Sequence, residues 1–212
     1  MLTNIATCAS EWLLFTALLK AQQNRHYDEL EPVKAEELLP TQDDTNRACA
    51  AIRNLCNTDA LNKILDEEPD LLHKEDSEGY TILDRVFLLN AEKHATQINM
   101  YLTSIFSRDI SLEIACRGDY RRGIHLAVGN NNIIAVRRVL KAFPDLLHYS
   151  LPCGGTAAHM ATRFANANIM REIINIHAYV YGRHTHMTLD YQGRHPLHIA
   201  AREGRINIVK EL

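Results

Sequence analysis

The chain has 212 residues, of which 46% are apolar and 23% charged, and its formal net charge is −3. The high apolar fraction and the small net charge exclude a disordered chain, and the longest apolar stretch, residues 12–19, is too short to span a bilayer. Five cysteines without a CxxC pair argue against a disulfide framework or a zinc module, so we predict a cytoplasmic protein in a reducing compartment.

The charge is unevenly distributed along the chain. Residues 1–100 hold 18 acidic and 9 basic residues, a net charge of −9, whereas residues 101–212 hold 8 acidic and 14 basic residues, a net charge of +6. Such a division can mark a basic binding face, or it can reflect an electrostatic match between two parts of one molecule. Both interpretations stay open at the level of the sequence.

Residues 1–42 differ from the rest of the chain and are predicted to form an N-terminal helical cap. Residues 10–23 read as a helix whose broad apolar face includes Trp12 and Phe15, and residues 32–40 read as a second, Glu-rich helical segment. The first helix has too few basic residues to attract anionic lipids. We therefore interpret the segment as a cover for the repeats that follow.

From residue 43 onward the chain repeats itself. The pentapeptide at 69–73, Pro-Asp-Leu-Leu-His, returns unchanged at 144–148, and a Gly-x-Thr follows each copy at the same distance, at 79–81 and 154–156. The separation of 75 residues corresponds to two units of about 33 residues plus insertions.

Single units appear in the second half. The tripeptides at 125–127, 159–161 and 198–200 read His-Leu-Ala, His-Met-Ala and His-Ile-Ala, at intervals of 34 and 39 residues. An apolar stripe begins ten residues after each histidine, which predicts two short helices in every unit. Neither helix can bury its stripe alone, so the units must stack on one another.

The last unit, residues 190–204, closely resembles an ankyrin repeat. It reads Asp-Tyr-Gln-Gly-Arg-His-Pro-Leu-His-Ile-Ala-Ala-Arg-Glu-Gly. Asp190 and Gly193 suit a tight turn, because Asp bonds the local backbone and Gly tolerates a positive φ. Pro196 suits the first turn of a helix, and Gly204 can end that helix in the left-handed conformation.

The resemblance implies an all-α ankyrin-repeat solenoid of stacked helix-turn-helix units with the helical cap in front. About five repeats would occupy residues 43–212, the first of them degenerate and the last truncated at Leu212, so we expect a fragment of a longer protein. In the second repeat Asp84 takes the place of the usual histidine. By the same resemblance, His125, His159 and His198 bond backbone groups between adjacent repeats.

The sequence offers no catalytic constellation, so we predict no enzymatic activity, metal or cofactor within the chain. His184 and His186 could face one side of a strand, but neither a cysteine nor paired carboxylates complete a metal site. Cys153 falls on a hairpin tip by resemblance, away from any cleft. The basic residues between 117 and 141 lack an aromatic platform for nucleic acid, which favours a solvated helix face.

The resemblance implies a protein-interaction module, since ankyrin arrays bind partners through a concave face made by hairpin tips and by the first helix of each repeat. Phe164 and Tyr191 stand near arginines, a combination typical of binding hot spots, although Phe164 can instead fill the gap left by two small alanines. The long connection between the last two repeats adds further contacts. The predicted partner-binding residues are Glu78, Tyr80, Arg121, Arg163, Phe164, Tyr181, Arg183, Tyr191, Arg194, Arg202 and Glu203.

We therefore predict a monomer whose basic C-terminal concave face binds an acidic protein partner. The alternative function is the targeting region of a longer enzyme, for example a thiol hydrolase, whose catalytic domain lies beyond residue 212. Divergent ankyrin arrays fused to catalytic domains resemble those of secreted bacterial effectors that act in the cytosol of a host cell.

Overall fold

A computed structural model describes the chain over residues 44–53, 58–108, 121–151, 154–164, 166–182 and 188–212. The predicted cap at 1–42 lies outside these residues, so the boundary between cap and repeats stays a prediction. In the described ranges the α-helices are α1 (Asp44–Arg53), α2 (Thr58–Glu67), α3 (Ile82–Phe87), α4 (Ala95–Arg108), α5 (Arg121–Gly129), α6 (Ile133–Ala142), α7 (Ala157–Arg163), α8 (Ala167–Tyr181), α9 (Pro196–Arg202) and α10 (Ile206–Glu211). Two 3-10 helices, Pro69–His73 and Pro144–His148, correspond to the repeated pentapeptide.

The helices form five consecutive pairs, numbered units 1 to 5, that stack into a two-layer solenoid. The odd-numbered helices make the first layer and the even-numbered helices the second, and each helix packs against its counterpart in the next unit. The predicted all-α repeat solenoid is confirmed. No helix in the part of the chain that the structure describes has the length and hydropathy needed to cross a membrane.

The apolar stripes of the second helices are buried between neighbouring units. Val136 and Val139 of α6 are buried, as are Met170 and Ile173 at the same positions of α8. Burial of such a side chain stabilises a fold by about 1.5–3 kcal/mol, so adjacent units stabilise each other. The spacing that predicted paired helices is confirmed in these units.

The histidines of units 3 and 4 each join their own helix to the hairpin of the next unit. His159 Nδ1 accepts a hydrogen bond from the Thr156 amide at 3.1 Å, which leaves the ring proton on Nε2 to be donated to the Arg194 carbonyl at 2.9 Å. His125 Nε2 donates to the Gly155 carbonyl at 3.2 Å. The inter-repeat role predicted for these two histidines is confirmed, while His198 accepts from the His195 amide within its own unit.

A second set of bonds joins each unit to the one before it, and sequence reasoning missed it. Seven residues after each histidine lie Asn132, Asn166 and Arg205. Asn132 Nδ2 donates to the Val86 carbonyl at the end of α3 at 3.1 Å. In the same way, Asn166 donates to a carbonyl of α5 and Arg205 donates to a carbonyl of α7, both at 3.2 Å.

Candidate functional site

The hairpin before α9 is built on the carboxylate of Asp190. This carboxylate accepts hydrogen bonds from the Gln192 and Arg194 amides at 2.9 and 3.0 Å, and from Arg194 Nε at 2.8 Å. Burial acts to raise the pKa of Asp190, but the hydrogen bonds from the side chain and amide of Arg194 outweigh it, so that the pKa is lowered. The tip is therefore held rigidly by an ionised carboxylate.

The predicted contact Arg194 belongs to this internal anchor. Its guanidinium forms an ion pair with Asp190 at 2.6 Å and is only partly exposed. Its charge is neutralised inside the hairpin, so the tip presents Tyr191 and Gln192 to solvent, both of which are exposed.

The hairpin before α3 is built in the same way, and it buries Tyr80, one of the predicted partner-binding residues. Asp76 accepts bonds from the Glu78 and Tyr80 amides at 2.9 and 3.0 Å and pairs with the buried Arg85 at 2.5 Å. The Tyr80 side chain is 5% exposed and lies under the Arg85 guanidinium, 4.5 Å from the ring centre. Glu78 is exposed, with its carboxylate 3.3 Å from Arg85.

Exposure of the predicted first-helix contacts increases along the array. The position compared lies four residues after the histidine, or four after Asp84 in unit 2. It is occupied by the buried Leu88 in unit 2 and by the half-buried Arg163 in unit 4. In unit 5 the same position is Arg202, whose side chain is 59% exposed. Among the described first helices, an open face of this kind is therefore found at α9.

Phe164 and Glu203, one position further on, are both half-buried. Phe164 packs against the hydrophobic core, which supports its interpretation as a packing residue. Glu203 lies 3.6 Å from the Arg202 guanidinium and 3.5 Å from that of Arg205, so it sits between two arginines.

Tyr191 is the large aromatic side chain of the unit 5 tip and is 73% exposed. One side of it lies against the hairpin of unit 4, because a Cβ at Gly154 would come within 2.4 Å of the Tyr191 amide and 2.6 Å of its ring. Gly154 also has a φ of +79°. The glycine therefore allows the two hairpins to touch and fixes the base of the exposed tyrosine.

Of the remaining predicted contacts, Tyr181 is the one whose side chain the structure describes. Tyr181 is half-buried at the end of α8, where its hydroxyl donates to Asp145 at 2.8 Å. Arg121 begins α5 but its side chain is not among those described, and Arg183 lies outside the described residues, as do Cys153, His184 and His186.

Basic residues of the second layer are matched within the solenoid. Arg137 of α6 pairs with Glu172 of α8 at 2.9 Å, and Arg171 of α8 pairs with Glu211 of α10. These two arginines therefore join adjacent units. The described side chains contain no cluster of metal-ligating residues.

The end of the array also exposes apolar side chains. Leu197 of α9 and Val209 of α10 are each 40% exposed. Their counterparts in unit 4, Ala158 and Met170, are buried. Unit 5 therefore offers both a polar and aromatic tip and an apolar end face.

Comparison with known proteins identifies the repeats of the second half. The family model for ankyrin repeats, written for three copies, matches residues 124–212. These residues cover the stacked units 3, 4 and 5. A search of curated proteins gave no match.

Proposed function

Because residues 124–212 of this chain are ankyrin repeats, which are protein-interaction modules, we propose that the chain binds a partner protein through the hairpin tip and first helix of unit 5. The observation that carries the proposal is the exposure of Tyr191 at the hairpin tip beside an exposed Arg202, whose counterparts Leu88 and Arg163 in earlier units are buried and half-buried. An exposed tyrosine and arginine on a rigid support are typical of binding hot spots.

The partner we propose is acidic. Residues 188–212 hold four basic and three acidic residues, and the Asp190–Arg194 pair is internal to the hairpin. Arg202 lies next to the tip, is 59% exposed and is 3.6 Å from Glu203. An arginine favours bidentate recognition of carboxylates. We propose that the chain acts in this role as a monomer in a reducing, cytoplasmic compartment.

The test is capture of a partner from cell extract, followed by tip variants. Tyr191→Ala combined with Arg202→Ala should weaken partner binding by at least about 100-fold, since two hot-spot side chains each contribute about 2 kcal/mol. Thermal stability should change little because both side chains are exposed.

Matched controls separate the tip from other surfaces. Tyr179 is 91% exposed but lies on α8, and Lys210 is exposed on α10. The variant Tyr179→Ala with Lys210→Ala should bind normally. Full binding by the tip variant, or its loss in the control variant, would contradict the assignment of this face.

A second candidate function is that the array directs a longer enzyme to its target. Exposed Leu197 and Val209 of unit 5 support it, because apolar surface of this kind is typical of contacts between folded elements. The coding sequence after codon 212 distinguishes the two functions: a Cys/His site of effector type supports targeting, whereas further repeats closed by a polar cap support a binding module alone.

A further inference from the structure

The last turn of α8 is fastened to the second 3-10 helix by four side chains, which we name the His148 cluster. His148 and Asp145 come from the 3-10 helix, and His177 and Tyr181 come from α8. The His148 ring lies 4.7 Å from that of Tyr181 and 5.7 Å from that of His177, measured between ring centres, and the His177 and Tyr181 rings are 5.2 Å apart.

The cluster is suited to uncharged imidazoles. The Tyr181 hydroxyl donates to Asp145 Oδ1 at 2.8 Å, and burial followed by this bond raises the pKa of Tyr181 to about 12. The Asp145 carboxylate is thus engaged by a neutral donor. His177 is buried, so a charge on its ring would be poorly hydrated.

Two imidazoles at this distance repel each other when both are protonated. Burial, and then the proximity of His148, lower the pKa of His177. A charge on His148 would therefore oppose a charge on His177, and protonation of both would be relieved if the turn that carries His177 moved away.

Charged groups on the other elements packed against α8 have partners of their own. From α6, Arg137 and Lys141 act on Glu172, and from α10, Glu211 is bound by Arg171. From α7, His159 donates to the Arg194 carbonyl, and Arg163 lies half-buried at the end of that helix. The pKa of His177 responds to burial and to His148.

The first copy of the pentapeptide supplies an internal comparison. His73 ends the first 3-10 helix just as His148 ends the second, and the five residues of the two copies are identical. His73 is exposed. His73 therefore serves as a control, because it is the same residue in the same local structure but lies outside the His148 cluster.

We propose that the His148 cluster is a pH-sensitive latch, which holds the last turn of α8 on unit 3 while both imidazoles are neutral and releases that turn when they are protonated. Because burial and the neighbouring His148 lower the pKa of His177 from its ordinary value of 6.5, the latch opens below that pH. This device is independent of the binding face of unit 5.

Hydrogen exchange of backbone amides tests the latch in the whole chain. After correction for the intrinsic effect of pH, amides at 178–182 should exchange at least about tenfold faster at pH 5.5 than at pH 7.5. Amides of α6 serve as the internal reference, because general acid destabilisation would accelerate them too. The variant His148→Gln with His177→Gln should lose the selective acceleration, and His73→Gln should retain it.

A second variant keeps the proposal falsifiable if the double variant folds poorly. Tyr181→Phe retains the ring but loses the bond to Asp145, so its latch should open at a higher pH than that of the unmodified chain. The latch is overturned if residues 178–182 exchange no faster at pH 5.5, if α6 accelerates equally, or if the acceleration persists in a folded double variant.

Discussion

The histidines of units 3 and 4 make bonds that require an uncharged ring. His159 receives the Thr156 amide on one nitrogen and donates from the other, and a second ring proton would remove the acceptor. Burial lowers the pKa of His159, and burial lowers the pKa of His125 to about 3. Both rings are therefore neutral in the folded chain at any pH near neutrality.

The stability of the array should consequently fall in mild acid. Below about pH 6.5 these histidines bind protons in the unfolded chain but stay neutral in the folded chain. The free energy of unfolding therefore decreases as the pH falls. The loss of stability that His125 causes continues as the pH falls towards 3. Urea unfolding at pH 7.5, 6.5 and 5.0, above the range where carboxylates titrate, should show a loss of about 1.4 kcal/mol per pH unit for each such histidine in the lower part of this range. Unchanged or rising stability between pH 6.5 and 5.0 would contradict neutral, buried rings.

Asn132 should be the most sensitive polar residue of the second set of inter-unit bonds. It is fully buried, caps α6 through the Ala135 amide at 3.0 Å, and donates to three carbonyls at and just after the end of α3. Asn132→Ala should cost about 3 kcal/mol in urea unfolding, because a helix cap is lost and buried carbonyls lose their donor.

Asn166→Ala is the matched control for that substitution. Asn166 is partly buried, and its side chain makes one corresponding bond, to the Val128 carbonyl. Its replacement should cost about 1 kcal/mol. Equal costs for the two variants would show that the bonds to unit 2 add nothing.

Only one of these two sets of inter-unit bonds could be predicted from the sequence. The histidines repeat as a residue type, so the family resemblance carries their role. The second set repeats by position, as Asn, Asn and Arg at 132, 166 and 205, because any side-chain N–H of suitable reach can donate to the carbonyl. A pattern based on residue identity does not reveal it.

Among the elements, the hairpins show how exposure depends on position within a turn. The residue four after the anchoring aspartate turns back inward, as Tyr80 under Arg85 and as Arg194 against Asp190. The residues one and two after it point outward, as Tyr191 does. The resemblance marks the whole hairpin as a tip, but it does not say which side chains the tip exposes.

Substitutions of two glycines in neighbouring hairpins distinguish the cost of backbone strain from the cost of a steric clash. Gly154 and Gly193 both have a positive φ, of +79° and +68°. A Cβ at Gly193 meets open space, whereas one at Gly154 would collide with Tyr191. Gly193→Ala should cost about 1–2 kcal/mol through backbone strain, and Gly154→Ala should cost clearly more. Thermal unfolding of both variants checks this, and similar losses would contradict the contact between the hairpins.

At the scale of the whole molecule, the stacking was predictable and the exposed surface was not. Solenoid stacking follows from local repeats that contact only their neighbours, so periodic apolar positions reveal it. Exposure depends on what packs against each unit, which is why equivalent positions are buried as Leu88 and open as Arg202.

Two arginines of the basic second half make ion pairs inside the solenoid. Arg137 and Arg171 each bind a glutamate of the next unit along the second layer. Of the two interpretations of the charge division, an internal match accounts for these two residues. The count of basic residues overstates the size of a binding face.

The most direct test of the proposed binding face is a hydrogen-exchange footprint of the chain with and without its captured partner. We predict slower exchange at residues 190–203, which form the unit 5 hairpin and α9, and unchanged exchange in α4 and α6 of the second layer. Protection of α4 or α6 with no change at 190–203 would show that the partner binds elsewhere on the solenoid.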